Sequence, residues 1–176
     1  MKVIIVTGSV GTGKTVVAKK LAEKLNFYYL DVNKIIRKYN ISEGYDRKRK
    51  TKIVDINKLN KVLIKEIIQY KKYIKNKINK KNGIVIDSHL SHYLPKKYAD
   101  LCIVTKCNLK ELQKRLKKRK YSKEKIRENL DTEIFDICFH EAKENKHKIL
   151  IIDSAKSINI DKVSNNLIKQ KIKPII

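Results

Sequence analysis

Short apolar runs recur along the chain, and segments with helical spacing separate them. Lys2–Val6, Phe27–Leu30, Ile84–Ile86, Leu101–Val104 and Lys148–Ile152 read as strands. None alternates apolar with polar residues, as expected for strands covered on both faces of a parallel sheet. Val17, Ala18, Leu21, Ala22 and Leu25 repeat at the period of a helix, and Lys58–Lys77 predicts a long one. That segment places Leu59, Val62, Leu63, Ile67 and Tyr70 on or near one face, and Asn82-Gly83 breaks it. Leu109–Lys118 predicts the next helix. Ser122 reads as the N-cap of a single helix carrying Ile126, Leu130, Ile134, Ile137 and Cys138, and Ile160–Ile168 as a closing helix. Tyr39–Thr51 is polar, charged and aperiodic, an excursion from the sheet. With no internal repeat and no Pro/Ser-rich linker, the pattern predicts one α/β domain over residues 1–176.

Composition narrows the class. Hydrophobic residues are 41% of the 176, enough to bury a core. No apolar run approaches the ~20 residues of a membrane-spanning helix. Met1–Val6 is too short for a signal peptide and leads straight into a Gly-rich motif, so neither a membrane protein nor a secreted one is expected. Cys102, Cys107 and Cys138 are odd in number and form no C-x-x-C pair, which predicts buried or half-buried thiols in a reducing cytoplasm. His140-Glu141 begins like H-E-x-x-H but ends at Glu144, so no zincin site follows; His89 and His92, three apart, could in principle bind a metal. The 43 Lys and Arg against 18 Asp and Glu give a net charge of +25, a surface suited to polyanions. Because Lys far outnumbers Arg and Ile and Asn are abundant, an AT-rich coding sequence explains much of that excess equally well.

One motif carries chemistry. Gly8-Ser9-Val10-Gly11-Thr12-Gly13-Lys14-Thr15 satisfies G-x-x-x-x-G-K-[ST], which average composition would produce by chance in on the order of one chain per hundred of this length. It follows a strand and opens a helix, the context in which glycines let backbone N–H groups curl around phosphate oxygens. Lys14 is placed to reach the β- and γ-phosphates, and the Thr15 hydroxyl to ligate Mg²⁺. Asp87 ends the third strand, where such a protein carries a carboxylate that holds Mg²⁺ through water; a turn or cap role is the plainer alternative. His89 lies beside the same site and could orient water or touch phosphate. Arg115 and Arg119 are four apart on one helical face, either a solvated basic surface or cations that close over a transferring phosphoryl group. Lys106–Arg127 holds eleven Lys or Arg against two Glu, whereas the Arg47–Lys52 and Lys71–Lys81 clusters lie outside any catalytic motif.

In this order the pieces resemble the adenylate kinase isoenzyme 6 family, also called the coilin-interacting nuclear ATPase family, in an archaeal form. Five stretches between Val3 and about Ala142 carry the resemblance. They are the Gly-rich loop; Tyr29-Leu30-Asp31-Val32 with Arg37; Gly44-Tyr45-Asp46; Val85-Ile86-Asp87-Ser88-His89 with Pro95; and Arg115 to Ser122, continuing through Glu128-Asn129 and Glu133-Ile134. The Asp-x-His pair after the third strand distinguishes that family among nucleoside monophosphate kinases. The resemblance implies an adenylate-kinase-like P-loop NTPase fold of three layers, with a five-stranded parallel sheet, an NMP-binding segment near 30–53 and a short LID near 118–128. It implies ATP contacts from Gly11, Gly13, Lys14, Thr15, Val16 and Arg119, NMP contacts from Asp31 and Arg37, LID cations at Arg115 and Arg119, and catalytic roles for Lys14, Asp87, His89 and Arg119. Departures from the family pattern are Val10 for Pro, Asn33-Lys34 for Gly-Asp, Leu90 and Lys120 for Gly, and Lys106 where Arg is common; they bear on the choice of acceptor.

What the resemblance implies is a kinase moving the ATP γ-phosphate to AMP or a related monophosphate with Mg²⁺, an intrinsic ATPase activity, and a link to small-ribosomal-subunit maturation. That link runs through a ribosomal protein of the S-eleven family and pre-ribosomal RNA. Two alternatives stand beside it: a ribosome-assembly ATPase with vestigial kinase activity, and a P-loop kinase of a small non-nucleotide substrate.

Overall fold

The computed structural model describes residues 1–47, 51–75, 81–154 and 161. Its elements in chain order are β1 (Lys2–Thr7), α1 (Lys14–Lys24), β2 (Tyr28–Asp31), α2 (Val32–Lys38), β3 (Ser42–Asp46), β4 (Thr51–Val54), α3 (Ile56–Lys75), β5 (Gly83–Asp87), β6 (Leu101–Lys106), α4 (Leu109–Lys118), α5 (Lys123–Ile134), α6 (Ile137–Glu144) and β7 (Ile149–Asp153). Two short 3₁₀ turns, Ser91–Tyr93 and Lys96–Tyr98, lie between β5 and β6.

The five apolar runs become one parallel sheet in the order β2-β5-β1-β6-β7. Its strands show the two-residue period of a pleated sheet buried on both sides. Val3 and Ile5 of β1 and Ile84 and Ile86 of β5 face a core closed by Ile35 and Ile36 of α2 and Leu59, Leu63 and Ile67 of α3. Ile4, Val6 and Val85 face the other way, onto Val17, Ala18, Leu21 and Ala22 of α1. This makes three layers. Register then fixes where chemistry can occur: Val6 pairs with Asp87, and Asp87 with Asp31, so the ends of β1, β5 and β2 share one edge. In open parallel sheets, ligands bind beyond that carboxyl edge.

Three elements differ from the sequence pattern. α2 was not expected in the segment after β2; it starts because the Asp31 carboxylate accepts from Asn33 N–H at 2.9 Å, and it buries Val32, Ile35 and Ile36. Inside the aperiodic Tyr39–Thr51 stretch, β3 and β4 pair antiparallel as a small separate sheet. The single helix expected from Ser122 is two. Asp136 takes a left-handed φ of 53° that ends α5, and its carbonyl accepts from the N–H groups of Phe139 and His140 in α6, each at 2.9 Å. Asp tolerates that conformation, and here its carboxylate is held by Lys106. Ser122 caps α5 as expected. The expected closing helix, Ile160–Ile168, falls outside the described residues except for Asp161.

Leu63 is fully buried in the α3 side of the core. Leu63→Ala should lower unfolding free energy by about 2–5 kcal/mol in a urea titration, with little effect on nucleotide affinity.

Candidate active site

Residues 8–13 reverse the chain between β1 and α1, and glycines at positive φ make the curl possible. Gly8 sits at φ 136°, where a Cβ would lie 2.5 Å from the Thr105 carbonyl oxygen. Gly13, at φ 91°, is the N-cap of α1. Side chains from four elements brace the curl. Thr12 Oγ1 donates to the Ser9 carbonyl at 2.8 Å and lies 2.7 Å from Thr105 Oγ1 on β6. Ser9 Oγ donates to Glu133 Oε2 of α5 at 2.7 Å. Ser154, just after β7, donates through its hydroxyl to the Thr12 carbonyl. Arg115 of α4 donates to the Gly11 carbonyl at 3.4 Å and to the Ser154 carbonyl at 3.3 Å.

The curl opens onto a cleft of about 500 Å³. The loop, β5 and α2 supply Lys14, Thr15, Asp87, His89 and Asn33, while Arg119, Tyr121, Lys125 and Asn129 face them from the end of α4 and from α5. Lys14 Nζ donates to the Ser9 carbonyl at 2.8 Å. Burial pushes its pKa down to about 8, against the opposing charge of Asp87. Asp87 is buried at the end of β5, and Tyr29 Oη donates to its Oδ2 at 2.8 Å. Desolvation and that carboxylate raise the Tyr29 pKa, so the phenol stays a donor. His89 is reached by water from the cleft yet crowded by protein; desolvation first, then the charges of Lys14 and His92, push its pKa down to about 4. The ring is therefore neutral near pH 7.

The structure brings together Gly11, Gly13, Lys14, Thr15, Val16, Asp87, His89 and Arg119 along one cleft. It does not bring Arg115, Arg37 or Asp31 to the cleft lining. Arg115 lies behind the loop, with its Nε on Glu111 at 3.0 Å and its other nitrogens on Gly11 and Ser154. The i,i+4 spacing put Arg115 and Arg119 on one face, but α4 ends at Lys118 and Arg119 leaves the helix toward the cleft. Arg37 is exposed on the last turn of α2, and Asp31 caps that helix. Two of the departures from the family pattern, Val10 and Asn33, line the cleft. His89 and His92 do not form a metal pair, and among the described residues no three His, Cys, Asp or Glu cluster to hold an ion.

Several working residues were missed. Glu133 is buried and accepts from both Ser9 Oγ and Cys107 N–H, the latter at 2.9 Å. His92 is buried with Nδ1 2.7 Å from Thr7 Oγ1 and Nε2 2.8 Å from Glu141 Oε2, tying α6 to the residue before the loop. Tyr93 Oη donates to the other Glu141 oxygen at 2.6 Å. A polar residue in the middle of an otherwise apolar helix face, as Glu133 is beside Leu130, was the available signal. All three cysteines are buried, and burial pushes Cys102 up to about 12 and Cys138 up to about 11, so both are thiols.

The AAA domain family matches residues 4–136. A Caenorhabditis elegans protein named adenylate kinase isoenzyme 6 homolog is 32% identical over 165 residues, 93% of this chain and 84% of its own. The chain belongs to that family. A relative from Thermococcus kodakarensis is 32% identical over 97% of this chain and 88% of its own, in keeping with the archaeal form. Among solved structures, a deoxyadenosine kinase from M. mycoides with bound dATP superimposes with a TM-score of 0.54 at 17% identity, covering 95% of this chain and 99% of its own, a likeness of fold. The protein is a phosphotransferase of the adenylate kinase type, built on a P-loop α/β fold. No described helix is long and apolar enough to cross a membrane.

Two outcomes follow from the geometry. Glu133→Ala leaves the Ser9 hydroxyl and the Cys107 N–H without their buried acceptor and should cost about 1–3 kcal/mol of stability, with a raised KM for ATP in steady-state kinetics. For Lys14, a bound phosphate restores the proton that the free protein loses above pH about 8. ATP binding should therefore take up a proton and weaken as pH rises through that value, read by calorimetry in buffers of different ionisation enthalpy; Lys14→Met should abolish the uptake.

Proposed function

We propose that this cleft binds ATP with Mg²⁺ and transfers the γ-phosphoryl group in line to AMP or a related nucleoside monophosphate. The observation that carries the reading is the convergence of Lys14, Thr15, Asp87, His89 and Arg119 on one cleft at the carboxyl edge of the sheet. The N–H groups of the loop and the N-terminus of α1 hold phosphate oxygens, and Lys14 leaves the Ser9 carbonyl to contact the β- and γ-phosphates. Arg119 neutralises charge that develops on the transferring group. When AMP is the acceptor its phosphate is already a competent nucleophile, so no strong base is needed.

The donor set suits magnesium. Thr15 and Asp87 present hard oxygens, Tyr29 orients the carboxylate through Oδ2, and the remaining positions fall to phosphate and water, the arrangement this ion prefers. Thr15 would hold it directly and Asp87 through water, and the ion would supply positive charge that offsets that of the phosphates.

Residues 1–176 act as one kinase domain in this reading. Residues 30–53, including α2 and the β3–β4 hairpin, form the acceptor side, with Asn33 on the cleft wall, Asp31 holding the helix start and Arg37 supplying a cation on closure. Residues 118–128 form the LID. Arg119 is its catalytic cation, and Arg115 supports the loop from behind. Without an acceptor, the neutral His89 ring can orient a water, giving slower ATP hydrolysis. The family resemblance extends the proposal to small-subunit ribosome maturation in the cytoplasm, with a ribosomal protein of the S-eleven family and pre-ribosomal RNA as partners, and the +25 charge supports a polyanionic one.

A coupled assay across AMP, CMP, GMP, UMP and dAMP tests the reading: turnover should depend on at least one of them, and silence on all would overturn it. Lys14→Ala should abolish transfer and hydrolysis alike. His89→Ala should reduce hydrolysis more than transfer; equal losses would remove His89 from its assigned role.

A further inference from the structure

His89 reaches the cleft on a turn whose fastenings all lie behind it. Its ring is exposed and has no hydrogen-bond partner among the described residues, so its place depends on the backbone that carries it. Only Leu90 and Ser91 separate it from His92, which is 1% exposed. On one side the turn is tied to the end of β1. Ser88 N–H donates to the Val6 carbonyl at 3.2 Å, and Ser91 Oγ donates to the same carbonyl at 3.0 Å. Thr7 Oγ1, the last side chain before the Gly-rich curl, meets the turn twice, 2.7 Å from His92 Nδ1 and 3.4 Å from the His89 carbonyl. On the other side stand α6 and the approach to β7. Glu141 Oε2 lies 2.8 Å from His92 Nε2, Tyr93 Oη donates to Glu141 Oε1 at 2.6 Å, and His147 Nε2 donates to the His92 carbonyl at 2.9 Å.

Proton positions follow from these neighbours. Burial holds the His92 pKa below the usual histidine value, so the ring is neutral near pH 7 and carries one N–H. The Glu141 charge favours that proton on Nε2. Nδ1 is then the acceptor, and the Thr7 hydroxyl turns to it in preference to the more distant His89 carbonyl. The ring thus spans β1 and α6, flanked at both nitrogens. Buried this deeply, it touches neither nucleotide nor water in the cleft, and what it controls is the placing of its neighbour.

We propose that Thr7, His92 and Glu141 are positioning residues for ATP hydrolysis, a role that deepens, and rests on, the water assigned to His89 in the proposed function. They fix the turn behind His89, so that a ring without a partner of its own meets the attacking water in one place. The two reactions then depend on them unequally. A nucleoside monophosphate brings its own nucleophile and needs no orienting histidine, whereas hydrolysis loses its orienting group when the turn shifts. A misplacement of ~1 Å costs on the order of a hundred-fold in such a step.

Hydrolysis without acceptor and label transfer to the monophosphate that turns over are measured on the same preparations of the full chain, below the unfolding transition. Thr7→Val keeps the shape and removes the hydroxyl. It should lower kcat for hydrolysis by about ten-fold, change transfer by less than about two-fold and leave the KM for ATP in place. Thr7→Ser, which keeps the hydroxyl, should restore hydrolysis. Glu141→Gln, at a side chain 31% exposed, should act in the same direction, and it carries the test if the buried Thr7 variant fails to fold. In a His89→Ala background, Thr7→Val or Glu141→Gln should cost hydrolysis nothing further, because each acts through His89. Equal loss of both reactions in the single variants, loss of neither, or losses that add in the double variants would each overturn the positioning role. A His89→Ala variant that lowers both reactions alike removes the water from His89, and the positioning role falls with it. Absence of transfer to any monophosphate would strike the kinase reading instead, and the double variants then decide the positioning role through hydrolysis.

Discussion

Everything at the nucleotide end of this molecule depends on holding a backbone curl that ordinary residues cannot adopt. Gly8, Gly11 and Gly13 all sit at positive φ, and such a curl has little internal reason to persist. The surrounding chain supplies the reason. Thr105, Ser154, Arg115 and Glu133 come from β6, the end of β7, α4 and α5, and each binds the loop's carbonyls or hydroxyls. The loop is thus preorganised by acceptors and donors on its outer side, where they do not compete with phosphate.

The same economy governs the titratable groups. Lys14 is parked on a backbone carbonyl of the loop itself, with its pKa drawn down by burial, so it is primed to gain from a phosphate. His89 is kept neutral beside it by crowding and by that lysine's charge. Asp87 is fixed by Tyr29 from the neighbouring strand. Behind them Thr7, His92 and Glu141 link the base of the loop to α6. Lys14, Arg119 and Lys125 bring positive charge to the cleft beside Asp87 and Glu128, and His89 adds none at neutral pH. This suits a reaction that moves a charged group between charged groups, where positioning and charge neutralisation carry the work.

Much of this was legible in the sequence, for identifiable reasons. The five strands were readable because a doubly covered parallel sheet demands uninterrupted apolar runs, and the Gly-rich motif because its spacing has few other uses. The chain's fold follows from those two features, while its family rests on the five matching stretches and on the relatives that share them. Two of the features that escaped were set by single polar contacts. α2 depends on one Asp31 cap, and the α5–α6 break on Asp136 turning left-handed where Ile134 and Ile137 kept a helical spacing that leads nowhere, since both remain exposed. Arg115 lies behind the loop while Arg119 reaches the cleft, because spacing gives a shared face but not the point at which a helix ends. Glu133 was quoted only as part of a matching stretch, since its place beside Leu130 marks a polar residue on an apolar face without naming its partner, 124 residues earlier in Ser9.

The +25 charge divides along the same lines. Lys14 and Arg119 belong to the cleft and Arg115 to its support, whereas Lys71, Lys72 and Lys75 of α3 are exposed away from it. The central claim is that the braced loop and its converging cations serve transfer between nucleotides. Following the label from γ-³²P-ATP with AMP in excess addresses it most directly. The account predicts that the label appears in the β-phosphate of newly formed ADP, faster than in inorganic phosphate. Label found in inorganic phosphate alone, at a rate indifferent to AMP, would contradict it.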